Sequence, residues 1–321
     1  MEQVKIGIIG TGGISYVHGK QLQELAHVKI GAVADPSEKK RGEFITKLNL
    51  ENAEQFSDYS AMIEQVNLDA VVICSPHTLH FKQATECLEA GLHVLVEKPM
   101  TCSSSEATRL IETANKEGKI LQVSYQRHFQ PEFLFIKEFI KQGKIGKLTS
   151  VNASLYQDWK PLTENTWRQN PALSGGGMLM DSGSHIIDIL LWTTGLQPQE
   201  ARTNIEMRDC DVEINSFTTL RFPDGLIGSL NIVGDAPCWH ETYVFVGEFG
   251  AIFYDNGRLT IRYLNEEPVS PELSEQTTNQ DKNFIDALLG LGTDYVKGEF
   301  ALRVVQLTEK IYKEANYQPI I

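Results

Sequence analysis

The sequence predicts an α/β protein in which a doubly wound parallel sheet is followed by an α+β domain with a largely antiparallel, open sheet. Short apolar runs alternate with helical periodicity as far as Ser124, which is typical of a parallel sheet with helices on both faces. The first of these runs leads directly into a glycine-rich turn. Beyond Lys147 the segments instead alternate polar and apolar residues, as half-buried antiparallel strands do. Since 321 residues exceed one typical core, we predict a Rossmann domain over residues 1–122 and a second domain over residues 123–321.

Composition and charge exclude several classes of partner. Hydrophobic residues make up 41% of the chain and charged residues 22%, which is ordinary for a globular protein. The formal net charge of −13, without a long basic run, argues against nucleic acid, and no apolar run is long enough to span a membrane. No signal-peptide pattern follows Met1, so we predict a cytoplasmic protein. The five cysteines have no Cys-x-x-Cys spacing, so we predict neither a disulfide framework nor a metal site.

The first strand and its turn have the pattern of a dinucleotide-binding site. An apolar run, Val4 to Ile9, precedes Gly-Thr-Gly-Gly-Ile-Ser at residues 10–15 and then a helical segment. The first glycine permits the tight turn, and the second lets the backbone approach a pyrophosphate at the amino terminus of the helix. The small Ser15 replaces the usual third glycine or alanine. The alternative is a glycine-rich turn that binds no nucleotide. The candidate cofactor-binding residues here are Gly10, Gly12, Gly13 and Ile14.

An acidic residue at the end of the second strand predicts which cofactor is used. The strand Lys29 to Ala34 ends in Asp35, 20 residues beyond Ser15, where dinucleotide-binding domains place the acid that binds the ribose hydroxyls. Because this carboxylate would repel a 2′-phosphate, NAD is predicted over NADP. The basic residues at positions 39–41 leave NADP as the alternative.

The strand Asp69 to Cys74 is predicted to end in a loop beside the cofactor. In such a sheet, ligands bind beyond the carboxyl ends of the strands. Ser75, Pro76 and His80 in this loop are therefore candidate cofactor-binding residues. A lone loop histidine is also frequently a structural residue, and that alternative stays open for His80.

Lys98 is the most informative residue of the sequence because it directly follows a buried strand. Gly91 is predicted to end the preceding helix, and His93 to Val96 then form a strand whose carboxyl end presents Glu97 and Lys98. Pro99 restricts the backbone of Lys98 and so the direction of its side chain. The alternative is a strand that ends in a solvated charge pair before a proline turn.

Six strand-like segments after residue 147 predict the second sheet. Pro-Asp-Gly at residues 223–225 and Asp-Asn-Gly at residues 255–257 indicate hairpin turns. One face of such a sheet packs on helices, and an exposed opposite face favours association into a homodimer or homotetramer. The predicted strands span residues 148–156, 216–222, 226–233, 242–246, 251–254 and 258–263.

A polar cluster follows Gly-Gly-Gly at residues 175–177. Asp181, His185 and Asp188 have the spacing that places residues on one face of a helix. A buried carboxylate beside an imidazole can transfer protons, so Asp181 and His185 are candidate catalytic residues. Two alternatives stay open: a metal site, for which the segment supplies only two clear ligands, and a hydrogen-bonded pair of the core. We assign Asp188 a structural role.

Together these motifs resemble the glucose–fructose oxidoreductase, inositol dehydrogenase and MocA family of NAD(P)-dependent oxidoreductases. Gly-x-Gly at residues 10–12, Glu-Lys-Pro at residues 97–99 and Asp-x-x-x-His at residues 181–185 carry the resemblance, which spans essentially the whole chain. It implies a Rossmann domain followed by an α/β domain whose open sheet often mediates oligomerisation.

The resemblance also implies roles for individual residues. By this likeness Lys98 holds the reacting hydroxyl, His185 takes its proton, and Asp181 anchors a neighbouring hydroxyl and tunes His185. The resemblance further implies a cis peptide bond before Pro99 and a position of Arg127 near the cofactor or the substrate.

We therefore predict an NAD-dependent oxidoreductase that transfers hydride between nicotinamide and a secondary hydroxyl or ketone of a sugar, sugar derivative or cyclitol. The alternatives are an NAD-dependent glycosidase that oxidises transiently, a non-catalytic NAD(H)-sensing protein and a dihydrodiol dehydrogenase. Aromatic rings with polar neighbours suit a polyhydroxylated ring, although the two tryptophans have core or interface positions as alternatives. The substrate-binding candidates are Lys98, Arg127, Trp159, Trp167, Arg168, Asp181 and His185. Glu97, Lys98 and Arg127 complete the cofactor-binding candidates.

Overall fold

The computed structural model of the protein describes residues 3–292 and 294–319, which form two compact units. The first unit is built from the described parts of residues 1–125 and 278–302, and the second from those of residues 126–277 and 303–321. The sequence predicted two consecutive domains and gave no sign that residues 278–302 return to the first unit. Such a return depends on contacts between residues far apart in the chain, which local periodicity does not record.

The first unit contains the predicted Rossmann sheet. All six of its strands are parallel, in the order β3-β2-β1-β4-β5-β6. The order reverses between β1 and β4, and open α/β sheets bind ligands at this switch point. The elements are β1 (Val4–Ile9), α1 (Ser15–Gln23), β2 (Val28–Ala34), α2 (Glu38–Leu48), β3 (Glu54–Phe56), α3 (Tyr59–Gln65), β4 (Ala70–Ile73), α4 (His80–Glu89), β5 (His93–Glu97), α5 (Ser104–Glu117) and β6 (Leu121–Ser124).

Local sequence signals explain where these elements begin and end. Every residue of β4 is buried, as expected for an apolar run covered on both faces. The Ser103 side chain accepts a hydrogen bond from the Glu106 N–H and caps α5, which ends at Gly118 with φ of 62°. The strand β5, which ends just before Lys98, lies between β4 and β6, and every residue of those two strands is buried.

The second unit contains a seven-stranded sheet in the order β13-β12-β11-β7-β10-β9-β8. All neighbours are antiparallel except β7 and β10, which are parallel. Alternate residues of β7 are buried, so one face forms a core. The elements are α6 (Pro131–Lys141), β7 (Leu148–Tyr156), α7 (Trp159–Leu162), α8 (Pro171–Ser174), α9 (Gly183–Thr194), β8 (Glu200–Glu206), β9 (Asn215–Arg221), β10 (Ile227–Val233), β11 (His240–Gly247), β12 (Gly250–Asp255) and β13 (Arg258–Tyr263).

Two features of this unit differ from the sequence prediction. The edge strand β8 was not predicted, because its polar residues alternate with only two apolar ones, Ala201 and Ile205, so its apolar signal is weak. The helix α9 begins only at Gly183, so Asp181 precedes it and does not share a helical face with His185. The segment from Met178 to Ser182 forms turns in place of the predicted helix.

The chain ends with two helices, α10 (Gln280–Leu288) and α11 (Gly298–Glu314). The first of these belongs to the returning segment of the first unit. In the described part of the chain, no helix combines the length and apolarity needed to cross a membrane.

Candidate functional site

The glycine-rich turn of the first unit has the shape of a phosphate-binding site. Gly10 has φ of 88°, and a Cβ on it would lie 2.8 Å from the carbonyl carbon of Cys74, so only glycine fits. At Gly12 and Gly13 a Cβ would meet no atom within 4 Å, so the space beside the backbone is open. No side chain caps α1 at Ile14. An uncapped helix terminus beside open space suits the pyrophosphate of a dinucleotide.

Asp35 is held at the end of β2 by backbone amides. Its Oδ2 accepts a hydrogen bond of 2.9 Å from the Thr11 N–H, and its Oδ1 accepts one of the same length from the Ser37 N–H. The carboxylate is thereby fixed next to the glycine-rich turn, where the ribose of a dinucleotide is expected. Arg41 is one of the basic residues that kept NADP as an alternative. Its guanidinium donates a hydrogen bond to the backbone carbonyl of Asp35, so one of its nitrogens is already engaged.

His80 cross-links two loops at the carboxyl edge of the parallel sheet. Its Nδ1 lies 2.8 Å from the carbonyl oxygen of Pro99, and its Nε2 lies 2.9 Å from that of Ser75. Burial lowers the pKa of His80, although both carbonyls act in the opposite direction. The Ser75 hydroxyl in turn donates to the side chain of Gln83. The His80 ring and the Ser75 hydroxyl are thus engaged within the unit, and contacts of Ser75, Pro76 and His80 with a cofactor stay predictions.

Lys98 directly follows β5 and is half-buried. The Lys98–Pro99 peptide bond is cis, as the resemblance implied. The neighbouring Glu97 is 6% exposed. Burial alone would raise the pKa of Glu97, but its hydrogen bond to His18 and the charges of His18 and Lys98 lower it below the usual value. Lys98 therefore extends from the carboxyl end of β5, where sheets of this kind bind ligands.

A buried cluster of three ionisable residues beneath Lys98 was not predicted from the sequence. His18 of α1 is fully buried, with Nε2 2.9 Å from Glu97 Oε1 and Nδ1 2.8 Å from Asp281 Oδ1. Burial lowers the pKa of His18, but the two carboxylates more than compensate and raise it to about 10. No local pattern could have found this cluster, because Asp281 is 263 positions away from His18.

In the second unit, Asp181 is held by two side chains. Its Oδ2 accepts hydrogen bonds from Trp159 Nε1 at 2.8 Å and from Arg168 Nε at 2.9 Å. Trp159 is only 1% exposed, so it is a core residue that orients Asp181. Trp167 is half-buried, and the Arg168 guanidinium lies 4.5 Å from the centre of its ring. These residues form one connected group of rings and polar atoms.

The glycine-rich segment before Asp181 is organised by a buried carboxylate, which the sequence did not predict either. Glu213 accepts hydrogen bonds from the N–H groups of Gly177 and Leu179 and from the hydroxyl of Tyr312, at 2.6, 3.1 and 2.7 Å. Burial raises the pKa of Glu213, although these donors act in the opposite direction. A Cβ on Gly177 would overlap the carbonyl oxygen of Glu213, which explains the glycine.

His185 is half-buried in the first turn of α9. The carboxylate of Asp188, fully buried in the same helix, lies 2.7 Å from Nε2 of His128, which agrees with the structural role assigned to Asp188.

Arg127 is buried as well; it forms an ion pair with Glu241 and donates to Oη of Tyr243. The contact of Arg127 with a cofactor or substrate therefore stays a prediction.

Within residues 3–292 and 294–319, no group of three or more histidine, cysteine, aspartate or glutamate side chains could hold a metal ion.

Comparison with known families gives matches over most of the chain. A family profile described as "Oxidoreductase family, NAD-binding Rossmann fold" matches residues 4–125. A second profile, described as the GFO/IDH/MocA C-terminal domain, matches residues 133–253.

Individual proteins are similar along nearly the full length. The chain is 29% identical over 272 residues to myo-inositol 2-dehydrogenase of Thermotoga maritima, covering 82% of this chain and 79% of that protein. Its fold superposes on the WlbA dehydrogenase of Bordetella pertussis, solved with NADH and UDP-GlcNAcA, with a TM-score of 0.86 and 23% identity over 100% of this chain and 98% of the other. The aldose–aldose oxidoreductase of Caulobacter crescentus, solved with glycerol, gives a TM-score of 0.85 and 22% identity over 98% of both chains.

Proposed function

Since this chain belongs to the Gfo/Idh/MocA family of oxidoreductases and has its NAD-binding Rossmann domain, we propose that it interconverts a secondary hydroxyl and a ketone on a sugar, sugar derivative or cyclitol. The observation that carries this proposal is the position of Lys98. Lys98 is half-buried and directly follows β5, a buried strand of the parallel sheet. It therefore lies at the carboxyl ends of the strands, where such sheets bind dinucleotides and substrates.

The first unit has residues suited to holding NAD. The open backbone at Gly12 and Gly13 fits the pyrophosphate, and the fixed carboxylate of Asp35 fits the ribose hydroxyls. When bound, the nicotinamide supplies the two-electron chemistry of the reaction. The carboxylate also supports NAD over NADP, because it would repel a 2′-phosphate.

The remaining chemistry is acid–base catalysis by the protein. Lys98 donates a hydrogen bond to the reacting oxygen and stabilises the negative charge that develops there. His185 accepts the hydroxyl proton during oxidation and returns it during reduction. Asp181, oriented by Trp159 and Arg168, accepts a hydrogen bond from a neighbouring hydroxyl of the substrate.

The class of substrate is supported by the relatives. One is named for the oxidation of myo-inositol, and another, 25% identical over 292 residues, is named levoglucosan dehydrogenase. Both compounds are cyclic polyols. Neither name supports a glycosidase, a sensor or an enzyme for aromatic diols.

The proposal is tested by incubating the purified protein with NAD and a panel of cyclitols and free, phosphorylated or oxidised sugars. We expect steady formation of NADH with at least one compound. Lys98→Ala is expected to lower kcat/KM by about 100- to 1,000-fold, because it removes a donor to the developing charge. Lys82→Ala, at a lysine side chain that is 73% exposed, is the matched control and should have wild-type activity. Firm NADH binding without turnover of any compound would contradict the proposal.

The open face of the second sheet supports association of the chain with itself. Two large apolar side chains are exposed on neighbouring strands, Phe217 at 46% on β9 and Ile227 at 52% on β10. Polar side chains on the same face hydrogen-bond across neighbouring strands, as Ser229 does to Asn152 and Asn231 does to Ser154. We propose a homodimer or homotetramer formed through this face.

A further inference from the structure

The buried cluster beneath Lys98 joins three elements of the first unit. His18 comes from α1, the helix that begins at the glycine-rich turn, and Glu97 is the last residue of β5. Asp281 comes from α10, in the segment that returns to this unit. His18 and Asp281 are fully buried and Glu97 nearly so, so water competes little with these contacts.

The geometry favours a charged His18. Burial raises the pKa of Asp281, although the charge of His18 and its hydrogen bond act in the opposite direction. Both ring nitrogens face carboxylate oxygens at hydrogen-bond distance, and an ionised carboxylate only accepts. A neutral imidazole carries one N–H and could satisfy only one of these contacts. The imidazolium donates to both, and its charge offsets the cost of burying the carboxylates.

The same contacts connect His18 to Lys98. Glu97 immediately precedes Lys98, and its Oε2 also lies 3.3 Å from the Lys98 backbone nitrogen. A hydrogen bond that fixes the Glu97 side chain therefore limits the movement of the backbone from which Lys98 extends. Charge-assisted hydrogen bonds in a buried site are strong enough to hold such a position.

We propose that His18 is a positioning residue: as an imidazolium bridging Glu97 and Asp281, it fixes the end of β5 and so the place of Lys98. This inference rests on the proposed function for its catalytic consequence, since it assumes that Lys98 contacts the substrate. The charge state of His18 is independent of that assumption.

The first test measures the protonation of His18 in the wild-type protein without cofactor. Nitrogen-15 spectra of histidine-labelled protein report whether each ring nitrogen carries a proton, and Asp281→Asn identifies the His18 signals by shifting them. At about pH 8, well above the ordinary histidine pKa, we expect protons on both nitrogens of His18. A proton on only one nitrogen at this pH would overturn the proposal.

The second test compares His18→Gln with the wild type. Glutamine retains a donor but cannot bridge two carboxylates as a cation. We expect kcat to fall by about 100-fold, because small displacements of a catalytic group have effects of this size, while the dissociation constant of NADH is unchanged. A purely structural defect would weaken NADH binding as well. An unchanged kcat in folded His18→Gln would refute the positioning role.

His93→Gln is the matched control, with the same substitution at the far end of the same strand. His93 accepts a hydrogen bond from the Ile120 N–H and does not contact the cluster, so the kcat of His93→Gln should equal that of the wild type.

If His18→Gln does not fold, Asp281→Asn replaces it. It keeps the His18–Glu97 contact but removes one carboxylate that keeps His18 charged, so its kcat should decline at lower pH than that of the wild type. A wild-type pH profile would then count against the proposal.

Failure of the proposed function is distinguishable from failure of this inference. If no compound is oxidised, the rate of acylation of Lys98 by an amine-reactive reagent replaces kcat as the readout. We expect the rate at Lys98 to differ about threefold or more between His18→Gln and wild type, with equal rates at the exposed Lys82. Equal rates at Lys98 would overturn the positioning role whether or not the protein is a dehydrogenase.

Discussion

At the scale of single residues, position at the end of a strand gives ordinary side chains their chemistry. Asp35 and Lys98 are common surface residue types, yet each follows a buried strand of the parallel sheet. The strand fixes the backbone, and nearby hydrogen bonds restrict the side chain. For Asp35 these come from the N–H groups of Thr11 and Ser37, so the carboxylate is oriented before any ligand binds.

We expect Asp35→Ser to shift cofactor preference toward NADP. The substitution removes the charge that repels a 2′-phosphate and the acceptor for the ribose hydroxyls, so the ratio of kcat/KM for NADP to that for NAD should rise about tenfold or more. Glu38→Ser, at an exposed acidic residue of α2, is the control and should leave the ratio unchanged. Comparable use of both cofactors by the wild type would contradict the role assigned to Asp35.

The charge of His18 also predicts a pH dependence of stability. Its pKa is about 10 in the folded protein against an ordinary value of 6.5, so its protonation favours folding. This contribution is fully present below about pH 6.5 and is lost as the pH rises through about 10. The groups that face His18 are Glu97 and Asp281, with Lys98 next to Glu97.

The free energy of unfolding of the wild type, measured by urea titration, should therefore exceed that of His18→Gln most at about pH 6 and least at about pH 10. His93→Gln provides the comparison. Burial lowers the pKa of His93, so His93 is neutral at alkaline pH whether folded or unfolded, and the difference from wild type should stay constant above about pH 8. A constant difference for His18→Gln across the whole range would rule out a charged His18.

At the scale of elements, the glycine-rich segment before α9 depends on a partner from elsewhere in the second unit. Three donors converge on Glu213, and two of them are backbone N–H groups of this segment. The segment leads directly to Asp181. A loop with little side-chain bulk is thus held in one conformation by a buried carboxylate.

We expect Glu213→Gln to destabilise the protein by about 1–3 kcal/mol. The NH₂ group of the new glutamine cannot accept a hydrogen bond, so a buried donor that now bonds to Glu213 would lose its acceptor. Urea unfolding measures this change. Glu206→Gln, at an exposed position of β8, should change stability by less than about 0.5 kcal/mol. Equal stability of Glu213→Gln and wild type would show that the segment does not need the ionised acceptor.

At the scale of the whole molecule, the exposed face of the seven-stranded sheet is the best candidate for self-association. A face with exposed Phe217 and Ile227 gains by excluding water from its apolar side chains.

Light scattering of the wild-type protein should give the mass of a dimer or tetramer. Phe217→Asp places a charge in the proposed interface and should yield monomers. Leu264→Asp is the control and should not, because Leu264 is 84% exposed and follows β13, near the other edge of the sheet from β9. A monomeric wild type at micromolar concentration would contradict the proposal.

Much of the fold could be predicted because its signals are local. The β7 and β13 boundaries agree with the predicted strands residue for residue. Predictions failed where local signals were weak or misleading. β8 is polar, and the spacing of Asp181 and His185 matched a helix that begins only after Asp181.

The sequence by itself determined the Rossmann fold, the family and the places of Gly10, Asp35 and Lys98, because strand, turn and helix signals lie within a few residues of each. The tertiary structure alone decided what surrounds them. It brought Asp281 to His18 and Glu213 to the glycine-rich segment, across intervals that no periodicity spans. Burial then set their charges, since the pKa of a group depends on its solvation and on the charges that folding places beside it.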